Sequence, residues 1–228
     1  QPPYSLRLLA WVALAPLCLA VWRSTSWRRA ALSGAAAAMV AAFGGYFWIA
    51  DMAHRFWQVP WVFAVLLQFL YGTFAEIHFT VFALLWWLLR RAARRERGGG
   101  LSLGPPPGRD RSGRLGEPAV LVAGLFVVCE MLVPRIFPDK LGHSQLDMGP
   151  LPHAAALVGT HGISFALAWL AAALAALIAG PRGRARRQAT VELGLGLLLV
   201  AGLSVAGARV SRAQERIPAA RSIEVLLV

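Results

Sequence analysis

The sequence predicts an all-α polytopic membrane protein, a bundle of about six transmembrane helices, on three observations. Of the 228 residues, 57% are hydrophobic and 15% charged, whereas a soluble domain is about 45–50% apolar and about 25% charged. The mean hydropathy is +0.57. The apolar residues gather in six runs, 4–22, 30–49, 59–89, 119–133, 154–179 and 191–210, on the scale needed to cross a hydrocarbon core about 30 Å thick. Between the runs lie polar stretches too charged to stay in lipid. Each run is expected to be helical, because an open sheet cannot satisfy its backbone N–H and C=O groups in hydrocarbon.

Taken in order, only the run 59–89 is long enough to raise the question of two crossings, and loop charge decides for one. Arg23, Arg28 and Arg29 follow the first run. Arg90, Arg91, Arg94, Arg95, Arg97, Arg109, Arg111 and Arg114 follow the third, and Arg182, Arg184, Arg186 and Arg187 follow the fifth. The alternate loops, 50–58 and 134–153, hold only Arg55, Arg135 and Lys140. Positive charge marks the cytoplasmic side, so the N-terminus and the tail beyond residue 210 are both expected outside. The net charge of +12 thus belongs to orientation and not to phosphate neutralisation, and no nucleic-acid partner is expected. Trp11, Trp22, Trp27, Trp48, Trp57, Trp61, Trp86 and Trp87 lie near run ends, as interfacial belts do.

The stretch 90–117 carries Gly98–Gly100 and Pro105–Pro107 among arginines and reads as a flexible cytoplasmic linker. Small residues at 35–38, Gly44, Gly45, Gly159, Gly162, Gly194, Gly196 and Gly202 are expected to let helices approach closely. Cys18 and Cys129 both sit inside apolar runs, where cysteine behaves as a small hydrophobe; neither a disulfide nor a zinc site is expected. The sequence starts at Gln1 and stops on the β-branched run 223–228, which resembles the first strand of a further domain.

Ionisable groups inside spans are costly and usually face the bundle interior. Glu76, His78 and Glu130 qualify. On a continuous helix Glu76 and His78 would stand about 200° apart, so no shared face and no metal site is expected. Glu130 closes a short run just before Arg135 and Lys140, and an ion pair or hydrogen bond from it should pin the loop that follows. That loop, 130–145, mixes apolar side chains, two prolines and polar groups beside the bilayer surface. It suits a site that receives a lipid headgroup or a lipidated substrate, although an ordinary interfacial loop would have the same composition. G-x-S-x-G, H-E-x-x-H, P-loop and dinucleotide fingerprints are all absent. Cys129 beside Glu130 makes no nucleophile and base, since adjacent helical residues point about 100° apart and a buried thiol is inert.

The residues quoted next carry a resemblance. Pro2-Pro3-Tyr4-Ser5-Leu6 with the stretch 9–17, then Gly44-Gly45-Tyr46-Phe47-Trp48-Ile49, and above all Glu130, Phe137-Pro138 and Leu141-Gly142-His143-Ser144-Gln145 resemble the apolipoprotein N-acyltransferases of bacterial inner membranes. Gly159, Gly162, Ser164 and Phe165 resemble the same family's following helix. Asp139 stands where that family usually has Trp, and His143 where it usually has another aromatic.

The resemblance implies a multi-pass inner-membrane protein with both ends of this chain periplasmic. It implies a span set matching the second to seventh of the family's eight helices, ahead of a periplasmic nitrilase-like domain. It also implies an activity: transfer of an acyl chain from a phospholipid donor to the N-terminal diacylglyceryl-cysteine of a lipoprotein, through a thioester on a Cys assisted by Glu and Lys. Those three residues belong to the nitrilase-like domain, so no catalytic residue, metal or cofactor is expected within this chain, which alone should be inactive. Its expected contribution is anchor and lipid groove, with Glu130, Phe137, Pro138, His143, Ser144 and Gln145 lining the groove. The competing expectation is a non-catalytic membrane scaffold or permease half, which would use Glu76 and His78 as pathway residues.

Overall fold

The computed structural model describes residues 6–98, 117–137, 139–180 and 183–215. Pro138, most of the 90–117 linker and the 223–228 run lie outside the described residues. Among the described residues every regular element is helical, and no strand occurs. A 3-10 turn, Leu6–Trp11, leads into α1, Ala15–Arg23, which has Pro at its first turn, where a missing N–H costs nothing. Then come α2 (Trp27–Gly45), α3 (Trp48–Phe56), α4 (Trp61–Phe74), α5 (His78–Gly98) and α6 (Ala119–Leu132). Two 3-10 turns, Leu141–Gln145 and Leu151–Ala154, precede α7 (Ala155–Ala179). The last element is α8 (Arg184–Glu215).

Among the described residues each of the six apolar runs is helical for most of its length, but their lengths differ. Trp61–Ala93, Leu151–Ala179 and Arg184–Gln214 are long and apolar enough to cross a membrane, and α2 with α3, bent by 55°, makes a fourth when the pair is counted as one span. α6 has 14 residues and rises only about 21 Å; Leu8–Arg23 is likewise short. The loop expected at 50–58 is mostly α3. Asp51 and Arg55 sit one turn apart and pair at 2.7 Å, so this amphipathic turn closes as a helix. A left-handed Gln58, with φ 54°, then reverses the chain into α4.

α7 is the hub. Ala166, Ala168, Ala171, Ala172, Ala173, Ala175 and Ala176 are all buried, because an alanine-rich helix has no bulky face and can be packed on every side. In the same core cluster α1, α5 and α6 set Val21, Phe82, Trp86 and Phe126. Of the expected glycines, Gly196 of α8 marks a close approach, where a Cβ would meet the Leu170 side chain of α7; the other close approaches fall elsewhere. A Cβ at Gly34 would meet the Thr80 backbone, one at Gly72 the Met39 and Ala42 side chains, and one at Gly207 the Pro150 carbonyl; at Gly44, Gly45, Gly194 and Gly202 it would meet nothing within 4 Å. Small residues cluster along several helices, and only the crossing points decide which are needed.

The Arg90 end of the bundle is tied by polar groups. Arg90, only 6% exposed, donates to Glu117 at 2.8 Å and to the last carbonyls of α1, Val21 and Trp22, at 3.1 and 2.9 Å. Its guanidinium lies over the Trp22 and Trp86 rings, and Trp86 Nε1 also donates to Glu117. Nearby, Glu192 accepts from the Val120 N–H at 3.0 Å and from Trp169 Nε1 at 3.3 Å, fastening α8 to α6 and α7. A shallow cleft between these carboxylates is lined by Trp22, Glu117, Gln188 and Glu192.

Candidate functional site: the loop after α6

At the opposite end, the segment 133–145 folds back over the end of α6. Glu130, 1% exposed, accepts the Leu141 N–H on Oε1 at 2.6 Å, and this bond pins the loop to the helix it leaves. The Glu130 carbonyl, an orphan acceptor of the helix end, receives Arg135 Nη2 and Lys140 Nζ, each at 3.3 Å. Glu130 Oε2 is buried without a hydrogen bond. One residue beyond Leu141, the Gly142 N–H donates to Ser164 Oγ of α7 at 2.8 Å. There is no room for a side chain at 142, where a Cβ would run into the Thr160 carbonyl.

The turn Leu141–Gln145 is held from within. The Lys140 N–H donates to His143 Nδ1 at 3.1 Å, which leaves the imidazole proton on Nε2 when the ring is neutral. Ser144 Oγ donates to the Leu141 carbonyl at 2.6 Å, and Gln145 Nε2 donates to Ser144 Oγ at 2.9 Å. Asp139 lies 3.5 Å from His143 Nδ1 and accepts from Tyr46 Oη at 2.8 Å, which binds the loop to the α2–α3 bend. Around that bond Phe137 stacks on Tyr46 at 6.0 Å and 12° and touches Trp48 and Tyr71. Burial, then the neighbouring Arg135 guanidinium, lower the Lys140 pKa from its ordinary value.

Of the residues expected to line a groove, Glu130 and Gln145 are fully buried, His143 is partly exposed, and Phe137 and Ser144 are exposed. Pro138 lies outside the described residues. The buried two hold the loop in place, Glu130 on the Leu141 N–H and Gln145 on Ser144 Oγ. Sequence reasoning missed Ser164 as a partner of Gly142, Tyr46 as a partner of Asp139, and the ring of Tyr46, Trp48 and Tyr71 around Phe137. Tyr46 and Trp48 stood in a quoted family motif, and that was the available signal.

The expectation that Glu76 and His78 cannot meet is corrected. Residues 75–77 leave the α-helix between α4 and α5, and His78 Nδ1 comes within 3.5 Å of Glu76 Oε2. The 200° argument presumed an unbroken helix. Among the described residues no group of three His, Cys, Asp or Glu is placed to hold a metal. Cys18 and Cys129 are free and buried.

Among curated proteins none matches the chain. The family model described as apolipoprotein N-acyltransferase N-terminal domain matches residues 1–173, a stretch that contains the pinned loop, its aromatic ring and its Ser164 anchor. The chain belongs to the apolipoprotein N-acyltransferase family.

Proposed function

We propose that the chain is the membrane portion of an apolipoprotein N-acyltransferase of the bacterial inner membrane, crossing it six times with both ends periplasmic. In this reading it anchors the enzyme, offers a lateral groove to the phospholipid donor and the diacylglyceryl lipoprotein acceptor, and docks a nitrilase-like domain that holds the catalytic Cys, Glu and Lys. The thiolate takes the acyl group from the phospholipid ester and releases a lysophospholipid. The lipoprotein α-amine then attacks the thioester, and the thiol leaves as the amide forms. Bringing two lipids to one thiol is a matter of proximity, so the membrane portion acts on rate through position.

The observation that carries this reading is the family match over the segment where a rigid loop, tied to α6 by Glu130 and to α7 by Ser164, presents an aromatic cluster. Burial of both thiols supports placing the nucleophile elsewhere, because a thiol shielded in apolar surroundings is not activated. The test is an assay of the purified 228-residue chain with phospholipid and diacylglyceryl peptide. No transfer is expected, and turnover that vanishes in Cys129→Ala would overturn the assignment of chemistry to another domain. Fusion to a nitrilase-like domain should restore transfer.

A further inference from the structure

We propose that Arg135 and Lys140 form a subsite for the phosphodiester of a lipid headgroup, beside the Phe137 aromatic cluster; the choice of a lipid rests on the function proposed above. Both side chains are partly buried, and their only side-chain hydrogen bonds among the described residues go to one carbonyl, that of Glu130, at a long 3.3 Å each. A guanidinium has five N–H donors and an ammonium three, so most of their donors have no partner among the described residues. Neither cation has a carboxylate oxygen within ion-pair distance among the described residues.

The acids nearby are engaged elsewhere. Glu130 holds the Leu141 N–H, Asp139 holds Tyr46 and faces His143, and Glu76 faces His78. Two cations that converge on one carbonyl repel each other, and the negative end of the α6 dipole with the nearby Glu130 and Asp139 carboxylates offsets this only in part. The lowered Lys140 pKa has the Arg135 charge among its causes. A phosphate oxygen pair would relieve that repulsion, bidentate on the planar guanidinium with the ammonium as a point charge.

Two features favour a lipid over free phosphate. The same segment exposes Met131, Leu132 and Ile136 at 58, 74 and 65%, surface that acyl chains would cover. Glu76, Glu130 and Asp139 also surround the pair closely enough to act on its charges. Their field disfavours a phosphate dianion more than a singly charged phosphodiester.

The experiment titrates the protein, in a maltoside detergent free of phosphate, with dihexanoylphosphatidylcholine, dihexanoylglycerol or inorganic phosphate, read by calorimetry. The phosphodiester lipid should bind at least tenfold tighter than dihexanoylglycerol, inorganic phosphate should not displace it, and the double substitution R135Q/K140Q should abolish the tenfold difference. K140Q alone gives up one long bond and keeps the loop's other ties; it should lose about half of that advantage on a logarithmic scale, and R135K should keep most of it. Equal lipid affinity in K140Q and wild type, or displacement by inorganic phosphate at like concentration, would sink the subsite. Binding needs no acyl transfer, so a headgroup site without transfer in the fused enzyme would instead sink the function proposed above.

Discussion

Glu130 spends one carboxylate oxygen on a backbone N–H and keeps the other buried without a partner, so its work is positional. Glu130→Gln keeps an acceptor for Leu141 but weakens a charge-assisted bond. Glu130→Ala leaves that N–H buried and unpaired, at a cost of about 1–3 kcal/mol. Acyl-enzyme formation in a single turnover of the complete enzyme should therefore fall in the order wild type, Gln, Ala. Equal and complete loss in both variants would mean an acid or base role instead. Ser164→Ala orphans the Gly142 N–H and should likewise cost about 1–3 kcal/mol, read as a lower denaturation midpoint in detergent. The pin by Glu130 was legible because a carboxylate at a run's end precedes a Pro-constrained, cationic loop. The Ser164 bond spans 22 residues and leaves no local trace.

At the level of elements, two interruptions shape the site. α7 contains a glycine, Gly159, at φ 67° and ψ 171°, a region essentially closed to other residues, with open space where a Cβ would stand. Gly159→Ala should thus cost about 1–3 kcal/mol through backbone strain alone. Gly194→Ala, within α8 and with open space where its Cβ would stand, should cost less; equal midpoints for the two in thermal unfolding would contradict backbone strain at Gly159. The second interruption, residues 75–77, turns a Glu–His pair that a straight helix would separate into neighbours. Sequence periodicity cannot show it, since the stretches on either side, 61–74 and 79–89, are largely apolar and carry little phase.

For the whole molecule, the two ends of the bundle carry different chemistry. α2 spans 19 residues, about 28 Å of rise, from its start beside the exposed Thr25 to Tyr46, which holds Asp139 of the pinned loop. Cysteines placed at Thr25 and Ser144, both exposed, should be labelled by an impermeant thiol reagent only from opposite faces of the membrane. Labelling from the same face would overturn the proposed topology. At the Arg90 end, Glu117→Gln leaves the buried Arg90 charge with weaker partners. Because Glu117 is itself 37% exposed, the expected cost is discounted for solvent to about 1 kcal/mol, seen as a modestly lower unfolding temperature.

The amino-acid sequence by itself determined that the apolar runs are helical, since hydrocarbon leaves the backbone no other internal partners. It also set where arginines gather and which loop concentrates polar groups beside the bilayer. Only the tertiary structure decided which of those groups meet. Tyr46 reaches Asp139 across 93 residues, Arg90 reaches the end of α1 across 69, and Glu76 reaches His78 through a broken turn. Helix formation is a local demand met within one segment, whereas these contacts depend on crossing points and helix breaks that no single segment encodes.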